Sequence, residues 1–318
     1  MALAFVFPGQ GSQSLGMLAE LAEREPVVRR VFDNASSVLD YDLWGLVQNG
    51  PEEDLNKTER TQPAMLAAGF AVWRVWREHG GAVPTVMSGH SLGEYTALVC
   101  SRALDFTTAI SLVEFRGRLM QEAVPVGHGA MAAVLGLTDR AVQLACRESM
   151  QGGEVVEPVN FNAPNQIVIA GHAPAVRRAM DAARKRGAKR TVLLPVSVPA
   201  HSSLMKPSAE KMRQRLMETE FKPPLVPEIY TVDVKKHGDP NEIRAALVEQ
   251  LYKPVRWVET VRAMVVQGVD RIVECGPGRV LSGLNSRIER RQEIHVHAID
   301  DPKSIDETLA ACRDAAYA

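Results

Sequence analysis

The sequence lacks an excess of charge, a paired-cysteine motif and a nucleotide-binding fingerprint. Its formal net charge is −1, so it has no basic excess with which to hold a nucleic acid, and no nucleic-acid partner is expected. Its four cysteines form no C-x-x-C pair, and three of them lie in apolar runs, as reduced core cysteines do. We therefore expect a protein with free cysteines in a reducing compartment.

Long hydrophobic runs are also missing. No stretch approaches the length that a transmembrane helix needs, so no membrane partner is expected. The first residues enter an apolar strand almost at once and lack the basic start and long apolar stretch of a signal peptide. The predicted location is therefore cytoplasmic. Hydrophobic residues make up 46% of the 318 residues, which is enough for a large core, and this length favours two subdomains.

The most informative segment is 89–93, Gly-His-Ser-Leu-Gly, which matches the G-x-S-x-G nucleophile elbow. The apolar run 82–87 before it predicts a buried strand, and the run 92–104 after it predicts a helix. The elbow needs this context, because the sharp turn between strand and helix lifts the hydroxyl of Ser91 clear of the sheet. The N–H of Leu92 would then lie beside a reacting carbonyl oxygen. A chance glycine-rich turn is the alternative, and the flanking elements favour the elbow.

A nucleophilic serine needs a base, and the sequence offers eight histidines. His201 is the best candidate, because it ends the run 193–201, where a strand is predicted to stop and a loop to begin. On position alone, a loop histidine without a role is equally compatible. His295 and His297 share one face of a predicted strand, but no third ligand accompanies them, so no metal site is expected.

A glycine-rich loop over 8–13, Pro-Gly-Gln-Gly-Ser-Gln, follows a short apolar strand over 3–7. It is not a P-loop, because no Gly-Lys-Ser/Thr follows, and its glycines do not fit the G-x-G-x-x-G spacing. Loops of this kind expose backbone N–H groups to an anion. An oxyanion donor therefore fits this loop better than a phosphate cradle does.

A helix is predicted over 106–123, with Asp105 as its N-cap. Arg116 falls on the apolar face of this helix, whereas Arg118 falls on its polar side. An arginine that faces inward is costly unless an anion meets it. Two structural alternatives stay open, an ion pair with a protein carboxylate and a side chain that reaches back to water. The functional alternative is a bidentate site for a substrate carboxylate.

A separate unit is predicted over 128–196, between Ser91 and His201. Its elements are strand 130–135, helix 138–150, a hairpin of strands 155–160 and 166–170 around 162–165, helix 174–186 and strand 190–196. This β-α-β-β-α-β order is the ferredoxin-like pattern. We therefore predict an α/β fold in which a ferredoxin-like α+β subdomain, 128–196, is inserted into a large α/β-hydrolase-like subdomain with a parallel sheet, 1–127 and 197–318. The active site is expected in the cleft between them.

Seven motifs occur in one order along nearly the whole chain. They are Phe-Val-Phe-Pro-Gly-Gln-Gly-Ser-Gln at 5–13, Gln-Pro at 62–63, Gly-His-Ser-Leu-Gly-Glu-Tyr at 89–95, Arg-Gly at 116–117, Val-Ser-Val-Pro-Ala-His at 196–201, Gln-Leu-Tyr-Lys-Pro-Val-Arg-Trp at 250–257 and Glu-Cys-Gly-Pro-Gly at 274–278. Together they make the sequence similar to the bacterial malonyl-CoA:acyl carrier protein transacylases of type II fatty acid synthesis. Ala200 is one small departure, because serine is expected at that position.

The resemblance implies which residues carry out the acyl transfer. Ser91 would be the acylated nucleophile, and His201 would be its general base. The backbone N–H groups of Gln10 and Leu92 would form the oxyanion hole.

The resemblance also implies how the substrate and the base are held. Arg116 would bind the malonyl carboxylate, and Gln62 would line the acyl pocket. Gln250 would orient His201 through its main-chain carbonyl, in place of the usual triad carboxylate.

The predicted activity is ping-pong transfer of malonyl from malonyl-CoA to the phosphopantetheine thiol of acyl carrier protein, through a malonyl-serine ester. Malonyl-CoA is then a substrate, acyl carrier protein is the partner, and no cofactor is expected. Two other functions stay open. A serine hydrolase such as a thioesterase would use the same elbow but leave the inward arginine unexplained. A non-catalytic acyl-binding protein would leave the serine, histidine and arginine set without a purpose.

Overall fold

The computed structural model describes residues 2–125, 127–196 and 198–314. Ser197, where the second part of the large subdomain is predicted to start, therefore lies outside the described residues, as do Met1 and residues 315–318. The strands are β1 (Leu3–Phe7), β2 (Val86–Gly89), β3 (Gly129–Leu135), β4 (Val156–Ala163), β5 (Gln166–His172), β6 (Arg190–Leu193), β7 (Ile229–Tyr230), β8 (Lys235–Lys236), β9 (Arg271–Cys275) and β10 (His295–Ile299).

The helices connect these strands and cover the sheets. They are α1 (Ala19–Arg24), α2 (Pro26–Leu39), α3 (Leu43–Asn49), α4 (Glu52–Leu55), α5 (Thr58–Glu78), α6 (Gly93–Cys100), α7 (Phe106–Glu122), α8 (Asp139–Ser149), α9 (Ala173–Lys185), α10 (Lys206–Met217), α11 (Pro240–Gln250), α12 (Trp257–Val266), α13 (Val280–Ile288) and α14 (Pro302–Asp314). A short 3-10 helix, Ser203–Met205, precedes α10. Within the described ranges, no helix combines the length and the apolar character needed to cross a membrane.

One sheet is parallel and has the strand order β10-β9-β1-β2. Its central strand β1 is buried along its whole length, which is typical of a parallel sheet covered on both faces. β1 pairs with β2 up to Phe7 opposite Gly89, and the N–H of His90 donates to the carbonyl of Phe7 at 3.0 Å. The glycine-rich loop after β1 and the elbow after β2 therefore leave the sheet side by side, at its carboxyl edge.

The other large sheet is antiparallel and has the order β4-β5-β3-β6. Its chain order is β-α-β-β-α-β, with α8 and α9 packed on one face around Val142, Ile169 and Val176. This is the ferredoxin-like arrangement. The predicted fold class, a parallel α/β sheet with an antiparallel α+β unit, is confirmed. The division of the chain at 128 and 197 stays a prediction.

Backbone hydrogen bonds join the small unit to the rest of the chain. The N–H of Phe161 in β4 donates to the carbonyl of Val255 at 2.9 Å, and the N–H of Val255 donates to the carbonyl of Val159 at 2.8 Å. The opposite face of the antiparallel sheet, including Met131 and Val168, packs against the segment that leads to His201. The small unit therefore forms one wall of the site described below.

Two predicted strands are wrong at the ends that contain proline. The predicted strand 82–87 is β2, Val86–Gly89, and the residues before it include Pro84. The predicted strand 190–196 is β6, which ends at Leu193 before Pro195. Proline lacks the N–H that a strand interior donates to its neighbour, so each ladder starts after or stops before it.

Two further boundaries differ from the prediction. The predicted helix 92–104 is α6, which ends at Cys100, because Arg102 adopts a left-handed conformation (φ 63°) and the N–H of Ala103 bonds back to Leu98. The predicted hairpin turn 162–165 is shorter, since β4 continues to Ala163 and the turn needs only the next two residues.

Helices α5 and α7 approach closely at Gly117. A Cβ atom there would lie 2.6 Å from Cα of Glu59 and 2.7 Å from the carbonyl oxygen of Thr58. These are backbone atoms of the first turn of α5, which cannot move aside as a flexible side chain would. The close approach brings the neighbouring residue of α7, Arg116, against Gln62 of α5.

We expect Gly117→Ala to destabilise the protein by about 1–3 kcal/mol, since the added methyl group forces the two helices apart. The matched control is Gly283→Ala in α13, where the nearest atom to an added Cβ is a flexible guanidinium nitrogen of Arg287 at 3.8 Å. There alanine should add stability, by up to about 1 kcal/mol through helix propensity. Urea unfolding of both variants measures the difference, and equal effects would contradict the packing argument.

Candidate active site

Ser91 sits on the sharp turn between β2 and α6, with a left-handed backbone conformation (φ 54°). The two glycines of the motif are required by close contacts. A Cβ at Gly89 would lie 1.9 Å from the carbonyl carbon of Gly93, and a Cβ at Gly93 would lie 2.0 Å from the carbonyl oxygen of Phe7. The strained, left-handed backbone of Ser91 on this tight turn holds its hydroxyl above the sheet.

Ser91 and His201 lie within hydrogen-bond distance, although 110 positions separate them. Oγ of Ser91 is 2.8 Å from Nε2 of His201, and Nδ1 of His201 is 2.7 Å from the main-chain oxygen of Gln250. A carbonyl oxygen can only accept, so Nδ1 carries the proton, and Nε2 accepts the hydroxyl hydrogen of Ser91. This is the tautomer that a general base needs.

The prediction that His201 stands where a strand ends is wrong. β6 ends at Leu193, and His201 lies in a turn before the short 3-10 helix, with a left-handed backbone (φ 63°). Its N–H donates to the carbonyl of Leu251 at 3.0 Å. The C-terminal end of α11 therefore holds both the backbone and the ring of His201, through the carbonyls of Leu251 and Gln250.

Burial, and after it the nearby Arg116 guanidinium, lower the pKa of His201 to about 3. The hydrogen bond to the carbonyl of Gln250 opposes this shift, since it favours the protonated ring. His201 is therefore neutral throughout the physiological pH range. Its Nε2 is free to accept a proton.

Arg116 is buried, with 1% of its surface exposed, and its guanidinium faces the serine. One Nη atom donates to Oε1 of Gln62 at 2.8 Å, and the other donates to Oε1 of Gln250 at 2.8 Å and to Oγ of Ser91 at 3.2 Å. Among the described residues, no carboxylate lies within 4.0 Å of it. The guanidinium is thus hydrogen-bonded but not neutralised, and neither structural alternative, ion pair or escape to water, holds.

Arg118 has the opposite environment, on the other face of α7. Its side chain is 51% exposed and pairs with Glu114 at 3.3 Å, four residues earlier on the helix. The helix phase predicted for the two arginines is confirmed.

The side chain of Gln250 occupies the centre of the hydrogen-bond network. Its Oε1 accepts from Arg116, and its Nε2 donates to the main-chain oxygen of Ser91 at 2.8 Å and to Oε2 of Glu94 at 2.5 Å. The same residue therefore holds His201 through its main chain and Arg116 through its side chain. Sequence reasoning identified only the first of these contacts.

Glu94 was not assigned a role from the sequence, although it directly follows the elbow motif. It is fully buried in the first turn of α6, and its Oε1 accepts from the N–H of Thr231 at 2.7 Å and from the hydroxyl of Thr231 at 2.6 Å. Burial raises the pKa of Glu94 to about 7, while these donors, Gln250 and Arg116 hold it down. An acidic residue one turn after the nucleophile, within the apolar run 92–104, was the signal available in the sequence.

A cavity of about 280 Å³ opens in front of Ser91, between the two sheets. Gln62, Arg116 and His201 line it from one side, and Met131 and Asn160 of the small unit line it from the other. A larger groove of about 850 Å³, near Trp73 and Arg102, lies away from the serine–histidine pair.

Gln10 and Leu92 also line the cavity, Gln10 from the loop after β1 and Leu92 at the start of α6. Within residues 2–125, 127–196 and 198–314, neither backbone N–H has a protein acceptor. Both are therefore free to bind an oxygen of a ligand. Their role as the oxyanion hole stays a prediction.

His295 and His297 lie on β10, far from the elbow in the sheet order. No group of three or more histidine, cysteine, aspartate or glutamate side chains that could hold a metal occurs in the part of the chain that the structure describes.

The chain matches the acyl transferase domain family over residues 4–299. It is 53% identical over 306 residues to the malonyl CoA-acyl carrier protein transacylase of Salmonella typhimurium, covering 96% of this chain and 98% of that one. An acyl carrier protein S-malonyltransferase from Vibrio cholerae has a crystal structure with a TM-score of 0.93 and 55% identity, covering 97% of this chain and 100% of that one.

A further solved structure holds a malonyl-transacylase in complex with its type II PKS acyl-carrier protein. It matches with a TM-score of 0.96 and 55% identity, over 98% of this chain and 100% of the matched one. These similarities extend over nearly the whole length on both sides, and they confirm the resemblance seen in the sequence motifs. This chain belongs to the malonyl-CoA:acyl carrier protein transacylase family.

Proposed function

We propose that this protein transfers the malonyl group of malonyl-CoA to the phosphopantetheine thiol of acyl carrier protein, and so supplies fatty acid synthesis. The single observation that supports this best is the buried guanidinium of Arg116, 3.2 Å from Oγ of Ser91 and without a protein carboxylate. An acyl group that carries its own carboxylate would complete this site, and malonyl is such a group. The family to which the chain belongs supports the same substrate and partner.

In the first half of the reaction, Oγ of Ser91 attacks the thioester carbonyl while His201 accepts the hydroxyl proton at Nε2. The negative charge on the carbonyl oxygen is stabilised by the N–H groups of Gln10 and Leu92. The C–S bond then breaks, His201 returns the proton to the sulfur, and CoA leaves as its thiol. The product is a malonyl ester of Ser91.

In the second half, the thiol of acyl carrier protein enters the cavity in place of CoA. His201 accepts the thiol proton as the sulfur attacks the ester carbonyl, and the same two N–H groups stabilise the oxyanion. When the ester C–O bond breaks, His201 returns the proton to Oγ of Ser91. Malonyl-thioester on the carrier protein and free Ser91 are the products.

The cytoplasm is the compartment that we propose for this reaction. All four cysteines are buried and unpaired, which suits a reducing compartment. Each of the two substrates carries a thiol or a thioester, and no disulfide is needed for the fold.

We expect Ser91→Ala to fold normally and to form no acyl-enzyme, because an elbow serine contributes little packing. Mass spectrometry of the intact protein after mixing with malonyl-CoA measures this directly. The parent protein should gain one malonyl group and lose it again when acyl carrier protein is added.

Two outcomes of that experiment would contradict the proposal. A malonyl adduct on the alanine variant would mean that another residue is the nucleophile. Loss of the adduct from the parent in buffer alone, at the rate seen with carrier protein, would indicate a thioesterase.

We expect Arg116→Ala to slow malonyl transfer, because the substrate carboxylate is left unpaired. The loss of transition-state binding free energy should be roughly 2–5 kcal/mol. Acetyl transfer should hold or rise, since acetyl has no carboxylate. Arg116→Lys should recover only part of the malonyl activity, because an ammonium cannot make the bidentate contact. The ratio of malonyl to acetyl transfer is the measurement.

The matched control for Arg116 is Arg118→Ala, two residues along the same helix but on its exposed face. It should leave the malonyl to acetyl ratio unchanged. A ratio that follows Arg118 and ignores Arg116 would overturn the assignment of the carboxylate site.

We expect the rate at which a serine-directed sulfonyl fluoride inactivates the enzyme to stay level between about pH 7 and about pH 5, where an ordinary histidine protonates. The reason is the pKa of about 3 for His201, which keeps its Nε2 unprotonated. In Arg116→Ala, one cause of the lowered pKa of His201 is removed. The fall in the inactivation rate at acid pH should therefore begin at a higher pH than in the parent. A decline centred near pH 6.5 in the parent would contradict this.

A further inference from the structure

The oxygen and the nitrogen of the Gln250 side-chain amide each have defined hydrogen-bond partners. Its oxygen accepts from Arg116 at 2.8 Å, and its nitrogen donates to Oε2 of Glu94 and to the main-chain oxygen of Ser91. If the amide rotated by half a turn, its NH₂ group would face the guanidinium of Arg116, donor against donor. The arginine would then lose one of its acceptors and the geometry that aims it at the serine.

Glu94 determines which way this amide points. The donors on Thr231 and Gln250 and the nearby Arg116 guanidinium favour the ionised form of Glu94. An ionised carboxylate can only accept, so the group that faces it is the NH₂ of Gln250. The other carboxylate oxygen of Glu94 is held by the N–H and the hydroxyl of Thr231, so the carboxylate itself cannot turn away. Its place in the first turn of α6 also favours a negative charge.

We propose that Glu94 is a positioning residue for the choice of acyl group: it sets the amide orientation of Gln250, which in turn holds the Arg116 guanidinium toward the acyl pocket. The inference rests on the proposed function, because it concerns the arginine that would bind the malonyl carboxylate. Glu94 hydrogen-bonds to neither Ser91 Oγ nor His201, and its hydrogen bond to Gln250 carries the positioning effect.

Glu94→Gln tests this role, because glutamine keeps the size of the side chain and replaces one accepting oxygen with a donor. The glutamine oxygen takes over the contacts with Thr231, so its NH₂ group faces Gln250. Either the two NH₂ groups then oppose each other, or Gln250 turns and opposes Arg116 instead. The first arrangement places two donors against each other, so we expect Gln250 to turn. The guanidinium then loses its acceptor on Gln250 and leaves its place, whereas the main-chain carbonyl of Gln250 still holds His201.

The loss of charge at Glu94 acts in the opposite direction, because it would strengthen the attraction of Arg116 for an anion. The displacement of the Arg116 guanidinium should outweigh this effect of charge. Its contact with the substrate carboxylate is bidentate, and a displacement of about 1 Å costs on the order of 100-fold in rate. We therefore expect malonyl transfer to fall by about 10- to 100-fold in Glu94→Gln. Acetyl transfer and inactivation by a sulfonyl fluoride should keep their parent rates.

The matched control is Glu274→Gln. Glu274 is also fully buried, and it accepts from two backbone N–H groups, those of Leu281 and Ser282, at the start of α13. This variant loses a buried carboxylate of the same kind but should keep the malonyl to acetyl ratio of the parent. Thermal unfolding of all variants is recorded alongside.

A second variant tests the same relay if Glu94→Gln does not fold. Gln250→Met removes the amide that Glu94 orients but leaves the main-chain carbonyl for His201. It should lower the malonyl to acetyl ratio as Glu94→Gln does, and the double variant should lose no more than either single one.

Three results would overturn the inference. The first is an unchanged malonyl to acetyl ratio in Glu94→Gln or Gln250→Met. The second is an equal loss of malonyl transfer, acetyl transfer and sulfonyl fluoride reactivity in these variants. The third is a rise in malonyl transfer, which would mean that the lost charge matters more than the orientation of the amide. If the parent and Glu274→Gln fail to transfer malonyl at all, the proposed function itself falls, and this outcome is distinguishable from the others.

Discussion

The structure of this site depends on one buried positive charge that no protein carboxylate neutralises. Arg116 lies fully inside the protein, and its two Nη groups donate only to neutral acceptors on Gln62, Gln250 and Ser91. Removing a guanidinium from water is costly, and hydrogen bonds to amide oxygens recover only part of that cost. A ligand that brings its own carboxylate recovers the rest of this cost when it pairs with the guanidinium. Acyl groups without a carboxylate do not, so the buried charge makes the site selective for the acyl group.

Several features of the fold are needed to hold that charge in place. The contact of α5 and α7 at Gly117 brings Gln62 against the guanidinium, and α11 delivers Gln250 from the other side. The elbow brings the serine to the same point, because glycines at 89 and 93 let β1, β2 and α6 approach at distances that a Cβ would forbid. Precision here comes from backbone packing rather than from side-chain adjustment.

The same arrangement connects the charge to the base. Burial and the proximity of Arg116 both keep His201 unprotonated, which suits a residue that must accept a proton. Gln250 contacts both residues, His201 with its main chain and Arg116 with its side chain. Acyl recognition and proton transfer therefore share one supporting residue, and a change in its side chain should affect the first without disturbing the second.

The sequence by itself determined the fold class, the family and the inward phase of Arg116, because these depend on local patterns and on motifs that are contiguous in the chain. It placed strand and helix ends wrongly where proline or a left-handed residue interrupted an apolar run. Only the tertiary structure decided that His201 reaches Ser91 from a turn instead of a strand end, and that Glu94, Gln250 and Arg116 form one chain of contacts. Glu94 and Gln250 alone are 156 positions apart, and such pairings follow from how the elements pack, which no local pattern encodes.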